Sequence, residues 1–185
     1  MKKSKNPKAK KETSQYRWAT TVFLLAVALS AALSLASESM LSGAGVVAAL
    51  LILGAFIALG IAFDILGVAV TAADPRPFHS MAAHKEKGAK EALTLLRNAS
   101  QVSSVCNDVV GDICGIVSGT TAAVIVARLQ EALSLRSVLV SVCVTALISG
   151  LTIGGKAVFK KIAINECTAV VYRVARIMHA LHLYR

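Results

Sequence analysis

The sequence predicts an all-α integral membrane protein with four transmembrane helices, a juxtamembrane helical hairpin and a C-terminal amphipathic helix. Three observations carry that prediction. Apolar residues make up 56% of the 185 residues and charged residues only 16%, where soluble domains hold about a quarter charged. The mean hydropathy is +0.67. The 20 Lys+Arg, set against 10 Asp+Glu for a net charge of +10, cluster between four long apolar runs. This composition excludes a disordered chain and argues against a soluble globular domain.

Residues 1–17 (MKKSKNPKAKKETSQYR) form a Lys-rich tail with no apolar face. It reads as a disordered segment that sets topology and feels anionic lipid. The first span is expected over 18–36, with Trp18 at the interface. Nineteen residues at about 1.5 Å rise cover a bilayer core. A basic stretch before an apolar run also suits a signal peptide. The run is long for one, and Leu35-Ala36-Ser37-Glu38 is only a loose cleavage site. The second span is expected over 44–71. It exceeds one bilayer thickness and carries Asp64 between Gly60 and Gly67, which would ease a kink.

Asp74-Pro75-Arg76-Pro77 stops that helix. The cytoplasmic juxtamembrane segment 74–98 comes next as amphipathic helix broken at Gly88. Ala89, Ala92, Leu93 and Leu96 form one face, with Lys87, Lys90, Glu91 and Arg97 on the other. The third span, 101–127, is the most polar, with Asn107, Asp108 and Asp112. Gly111, Gly115 and Gly119 recur every fourth residue, a pattern expected to make a helix-packing stripe. The fourth span is expected over 137–154, ended by Gly154-Gly155. In the final segment, 156–185, Ile162, Val170, Val174, Ile177 and Leu181 can share an apolar face of a basic interfacial helix.

Seven basic residues fall in 1–17, five in 73–99, two in 128–136 and six in 156–185. Four spans place the first, second and last groups on one side, which the positive-inside rule makes the cytoplasm. Both termini are therefore expected inside, in a bacterial cytoplasmic membrane. The expected partners are the lipid membrane, a second copy in a homodimer, and membrane or cytoplasmic proteins. Specific nucleic-acid binding has no support.

Ionisable residues within spans are costly and mark function by default. Asp108 and Asp112, four apart, should share a helix face near mid-membrane, with Asn107 about 100° away. Asp64 could approach them from the second span, and Ser103, Ser104, Ser118 and Thr71 could add oxygens. Such a pocket suits a hard cation such as Mg²⁺, bound or transported. The bland reading is a protonated Asp that hydrogen-bonds a neighbouring helix. Cys106, Cys114, Cys143 and Cys167 form no CxxC pair. They read as packing residues, not as disulfides or a zinc site. His179 and His182 share a surface face. No nucleophile–base pairing or phosphate loop is visible, so an enzyme is not expected, nor any cofactor beyond Mg²⁺.

Residues 63–119 and the segment after the fourth span carry a further pattern. Ala69-Val70-Thr71 ends a helix, Lys87-Gly88-Ala89-Lys90 lies in a basic juxtamembrane pair, and Leu95-Leu96-Arg97-Asn98-Ala99 enters a polar span. Over roughly 44–180 this order resembles the membrane domain of the CorB/CorC (cyclin M) magnesium and cobalt transporters. The resemblance implies a divalent-cation transporter. It also implies that Lys156 stands where that family has a metal-binding glutamate, and Phe159 where it has a proline. The family's CBS and CorC-HlyC modules are absent from the sequence, and the first span is an addition. Two functions are then expected: a divalent-cation transporter or permease, or a non-transporting membrane interaction or scaffold subunit on a degenerate core.

Overall fold

The computed structural model describes residues 7–132 and 138–181. Among them the chain is helical throughout, with no strand. The helices are α1 (Pro7–Leu41), α2 (Val46–Ala72), α3 (Arg76–Ala83), α4 (Ala89–Arg97), α5 (Ala99–Ser104), a π-helical segment (Val105–Gly111), α6 (Asp112–Ala132), α7 (Val138–Asn165) and α8 (Cys167–Ala180). Four stretches, Tyr16–Leu41, Val46–Ala72, Ala99–Glu131 and Ser141–Asn165, are long and apolar enough to cross a membrane.

Helix α1 is already helical at Pro7, where the described residues begin, ahead of the boundary expected at Arg17. Lys, Ala, Glu and Gln then continue the helix into the apolar run because all are good helix formers. Residues 1–6 of the expected disordered tail lie outside the described residues. Helix α2 runs unbroken through Gly60 and Gly67 and ends at Ala72. There Ala73 turns extended, and Asp74 accepts the Arg76 N–H at 2.9 Å.

One end of the bundle is a small core of its own. Ala69 and Val70 of α2, Phe78 of α3, Ala92 and Leu95 of α4, and Val171 and Ala175 of α8 are buried together. The α3–α4 turn needs Gly88, whose φ is +90°. A Cβ there would lie 3.0 Å from the Arg176 backbone nitrogen of α8. The expected apolar face of the last segment divides: Val170 and Val174 pack at the edge of this core, beside the buried Val171 and Ala175, whereas Ile162, Ile177 and Leu181 are exposed. The helix breaks at Glu166, so Ile162 belongs to α7 and a register counted across the break fails. His182 lies outside the described residues.

Helix α7 corrects a second expectation. It passes through Gly154-Gly155 and ends only at Asn165. An uninterrupted helical ladder satisfies the glycine backbone, and the missing side chain serves packing. A Cβ on Gly155 would stand 3.1 Å from Ile61 Cδ1 of α2.

The opposite end is held by one cation. Leu41, Ala49, Leu53, Ala122 and Ile125 form its apolar cluster. Arg128 of α6 donates through Nη2 to the Leu41 carbonyl at 3.0 Å and through Nη1 to the Ala44 carbonyl. These carbonyls lie at the end of α1 and in the turn after it, where helical partners run out; the Leu41 carbonyl also accepts the Ala44 N–H at 3.1 Å, and a fork of donors suits the pair. Between the ends, Ser37 of α1 and Thr121 of α6 share a buried hydrogen bond of 3.1 Å. Arg128→Ala should lower stability in detergent by about 2–3 kcal/mol, because charge-assisted bonds are lost and the Ala44 carbonyl loses its donor, while the Leu41 carbonyl keeps only the Ala44 N–H at 3.1 Å. Arg128→Lys should recover less than half, since an ammonium lacks the fork. Thermal unfolding of the purified variants reads both.

Candidate functional site

Asp64 lies in the second half of α2, and its Oδ2 is 2.8 Å from Nζ of Lys156 on α7. Both side chains are largely covered, at 21% and 31% exposure respectively. The pair lines a cavity of about 260 Å³ between α2, the π segment and α7, together with Asn107, Phe159 and Lys160. Its remaining wall includes Ile61, Ile65 and Val68. In such surroundings neither charge is well solvated, so each is the other's main electrostatic support.

Close backbone approach builds the floor. A Cβ on Gly111 would be 2.6 Å from Asp64 Oδ1. Gly67 meets Asn107 in the same way: a Cβ there would overlap Asn107 Oδ1. Asn107 Nδ2 donates to Ser103 Oγ at 3.2 Å, while its Oδ1 is buried without a hydrogen-bond donor. Pressed against Gly67, that oxygen has only carbon-bound hydrogens to face, a weak contact. The segment carrying Asn107 is π-helical over Val105–Gly111. A π turn widens the helix and shifts the register of α6 beyond it, and such turns occur often at functional positions.

The side of the third span that meets α2 carries Asn107 and not the aspartate pair. Asp108 and Asp112, expected to face inward together, are both exposed on the outside of the bundle. Asp108 accepts from Ser104 Oγ at 2.7 Å. Asn107, expected to point away, is the residue that reaches α2. Of the four expected metal ligands, the structure brings together Asp64 and Asn107 and leaves Asp108 and Asp112 outside. Among the described residues, no three of His, Cys, Asp and Glu are grouped to hold a metal. The donor set at the cavity is one carboxylate, already neutralised by a lysine, and one amide. That set does not fit a divalent cation, which draws on several oxygen ligands. The glycine stripe is corrected too. Gly111 packs against Asp64, but Gly115 and Gly119 are exposed with nothing within 4 Å of a Cβ. Each four-residue step along a 3.6-residue helix drifts by about 40°, which carries Gly115 and Gly119 off the face that Gly111 presents.

No known family, curated protein or solved structure matches the chain. The geometry of the site itself therefore carries the functional reading.

Sequence reasoning missed two contacts. It noted that Lys156 stands at a family acidic position, but only the continuation of α7 past Gly155 shows it reaching Asp64. It also put Glu91 among the solvated charges of α4. Instead the Glu91 side chain is only 10% exposed, and Oε1 lies 2.8 Å from Nδ1 of His179 on α8. Beside it, Tyr172 donates to Glu86 Oε2 at 3.2 Å, and the Arg176 guanidinium sits 5.9 Å from the Tyr172 ring centroid. The hydrogen bond with His179 holds the Glu91 carboxyl below its ordinary value of 4.5, against the opposing effect of desolvation.

A carboxyl depressed on folding stabilises above its unfolded value, and that contribution is lost as pH falls through the lower folded value. The Glu91 contribution to the attachment of α8 should therefore be lost as pH falls below about 4.5, and Glu91→Gln should remove that dependence. Amide hydrogen exchange in α8 across pH reads it. At the cavity, Gly67→Ala should destabilise by about 1–3 kcal/mol, because the methyl meets Asn107 in a packed contact. Gly115→Ala should be neutral or stabilising, since alanine is the better helix former. Thermal unfolding in detergent separates the two.

Proposed function

We propose that the chain is a non-transporting membrane interaction subunit whose cation position is filled by its own lysine. It crosses a bacterial cytoplasmic membrane four times with both termini in the cytoplasm. The observation that carries this reading is the 2.8 Å contact between Lys156 Nζ and Asp64 Oδ2. The tethered ammonium stands where an acidic cation ligand would be needed, and it satisfies the one inward carboxylate. In the CorB-like reading, the glutamate-to-lysine difference is the change that would switch a cation site off.

The architecture supports the placement. Trp18, α4 and α8 line one cleft and so share an end of the bundle. The α1–α2 turn and Arg128 form the other end. By sequence order, 18 of the 20 basic residues fall in segments that join the first end, and two in the segment 128–136 that joins the other. Helices α3, α4 and α8 then form a cytoplasmic layer under the spans. The apolar windows of α1 and α7 hold no buried residue within one chain, which leaves them to lipid and to partner helices, including a second copy. A divalent-cation permease is the competing reading, and the exposed pair Asp108 and Asp112 would serve it only from an interface between chains.

The two readings part on magnesium. The wild-type chain in detergent should show no shift of its unfolding temperature with Mg²⁺, and proteoliposomes holding it no Mg²⁺ uptake. Lys156→Glu places a second carboxylate beside Asp64 and Asn107 and should create a Mg²⁺-dependent rise. At about a hundred times the dissociation constant, that rise corresponds to roughly 2.7 kcal/mol. A magnesium-dependent shift in the wild type that Lys156→Glu leaves unchanged would overturn the proposal.

A further inference from the structure

Glu91 is the one acidic residue that is buried among the described residues. Its only ion-pair partner among them is His179, an imidazole and not a permanent cation. The His179 hydrogen bond, with a smaller pull from Lys90, keeps that carboxylate negatively charged. It faces a cleft of about 350 Å³. Glu91, Thr94, Asn98 and Gln101 give the cleft a polar side, and Trp18 and Met178 an apolar one.

On the membrane placement proposed above, the cleft lies at the boundary between the cytoplasmic layer and the spans. Helix α1 packs chiefly on α2, α6 and the π segment. Trp18, at the start of its apolar span, therefore forms a wall opposite the α4 and α8 side. From there the cleft runs down along Val102 and Val105 into the third span. Trp18 begins the first apolar run, at the depth where indole rings sit among headgroups.

We propose that this cleft binds the ammonium headgroup of an aminophospholipid. Glu91 supplies the counter-ion, Trp18 an aromatic face for the cation, and Asn98 and Thr94 oxygen acceptors for the remaining N–H groups. The acyl chains stay in the bilayer beside Val102 and Val105. An anionic headgroup is rejected, because it would set a second negative charge against Glu91. The site depends on the membrane placement of the chain and is independent of the Asp64–Lys156 pair.

Native mass spectrometry of the full chain, released from mixed micelles, tests this with phosphatidylethanolamine and phosphatidylglycerol of identical acyl chains. Phosphatidylethanolamine should be retained about tenfold more strongly, the scale of one hydrogen-bonded charge pair. Glu91→Gln and Trp18→Ala should each abolish most of that preference. Trp18→Ala lies outside the α4–α8 contact, so its effect does not depend on the docking of α8. His179→Gln, which keeps the carboxylate, should retain the preference. Equal retention of the two lipids, or a preference untouched by both Glu91→Gln and Trp18→Ala, would overturn the proposal. Displacement of the lipid by free ethanolamine at equal concentration would overturn it as well, since the site would then recognise a soluble amine.

Discussion

Two opposite charges inside an apolar bundle constrain the rest of this structure. Asp64 on α2 and Lys156 on α7 lie 2.8 Å apart in a cavity walled by Ile61, Ile65, Val68 and Phe159. Either charge alone would be poorly supported there, so the two helices must hold one register. Gly155 against Ile61 and Gly111 against Asp64 provide the close approach that the contact requires. Replacing a buried pair with apolar groups is often neutral, whereas removing one partner costs about 3–5 kcal/mol. Partial exposure of this pair places it at or below the lower end of that range. The pair is better understood as a specifier of how α7 sits on α2 than as a source of net stability.

The two ends of the bundle differ in kind. At one, the α3, α4 and α8 layer is a packed core closed by Glu91–His179, Tyr172–Glu86 and the backbone approach at Gly88. At the other, a single arginine ties the α1–α2 turn to α6. The apolar windows of α1 and α7 contribute no buried residue. These spans are attached by partly buried apolar contacts, Val22, Ala26, Leu29 and Leu33 of α1 on the Phe56 cluster and Ile148 of α7 on the Leu53 cluster, and by polar contacts such as Ser37–Thr121 and Asp64–Lys156. In lipid, where apolar contact gives little advantage to helix over hydrocarbon, such contacts and small residues decide association.

The spans and the charge asymmetry were legible because they depend only on composition along the chain. Run lengths, the Pro75–Pro77 stop and the basic clusters need no knowledge of which side chains meet. Inward-facing residues were less legible, and the reason is local. Spacing places Asp108 and Asp112 on one side of the third span and Gly111, Gly115 and Gly119 in one row, but it does not say which side meets α2, and in the structure both aspartates and the last two glycines are exposed; the span also holds a π turn at Val105–Gly111. No residue pattern in VCNDVVG announces that turn. Likewise Gly154-Gly155 looks like a stop until a neighbouring helix is seen to need the space. Glu91 reads as one charge in a solvated row because its partner is 88 residues away.

Whether Asp64 and Lys156 act as a unit is open to direct measurement. A double-mutant cycle with Asp64→Asn, Lys156→Met and the combined variant reads it in unfolding free energy. Each single variant should be clearly destabilised, and the double variant should regain much of the loss. The coupling energy should lie at about 1–3 kcal/mol, the range for residues in contact. Additive effects, with the double variant losing the sum of the two, would contradict a coupled pair and free the Asp64 carboxylate for another cation.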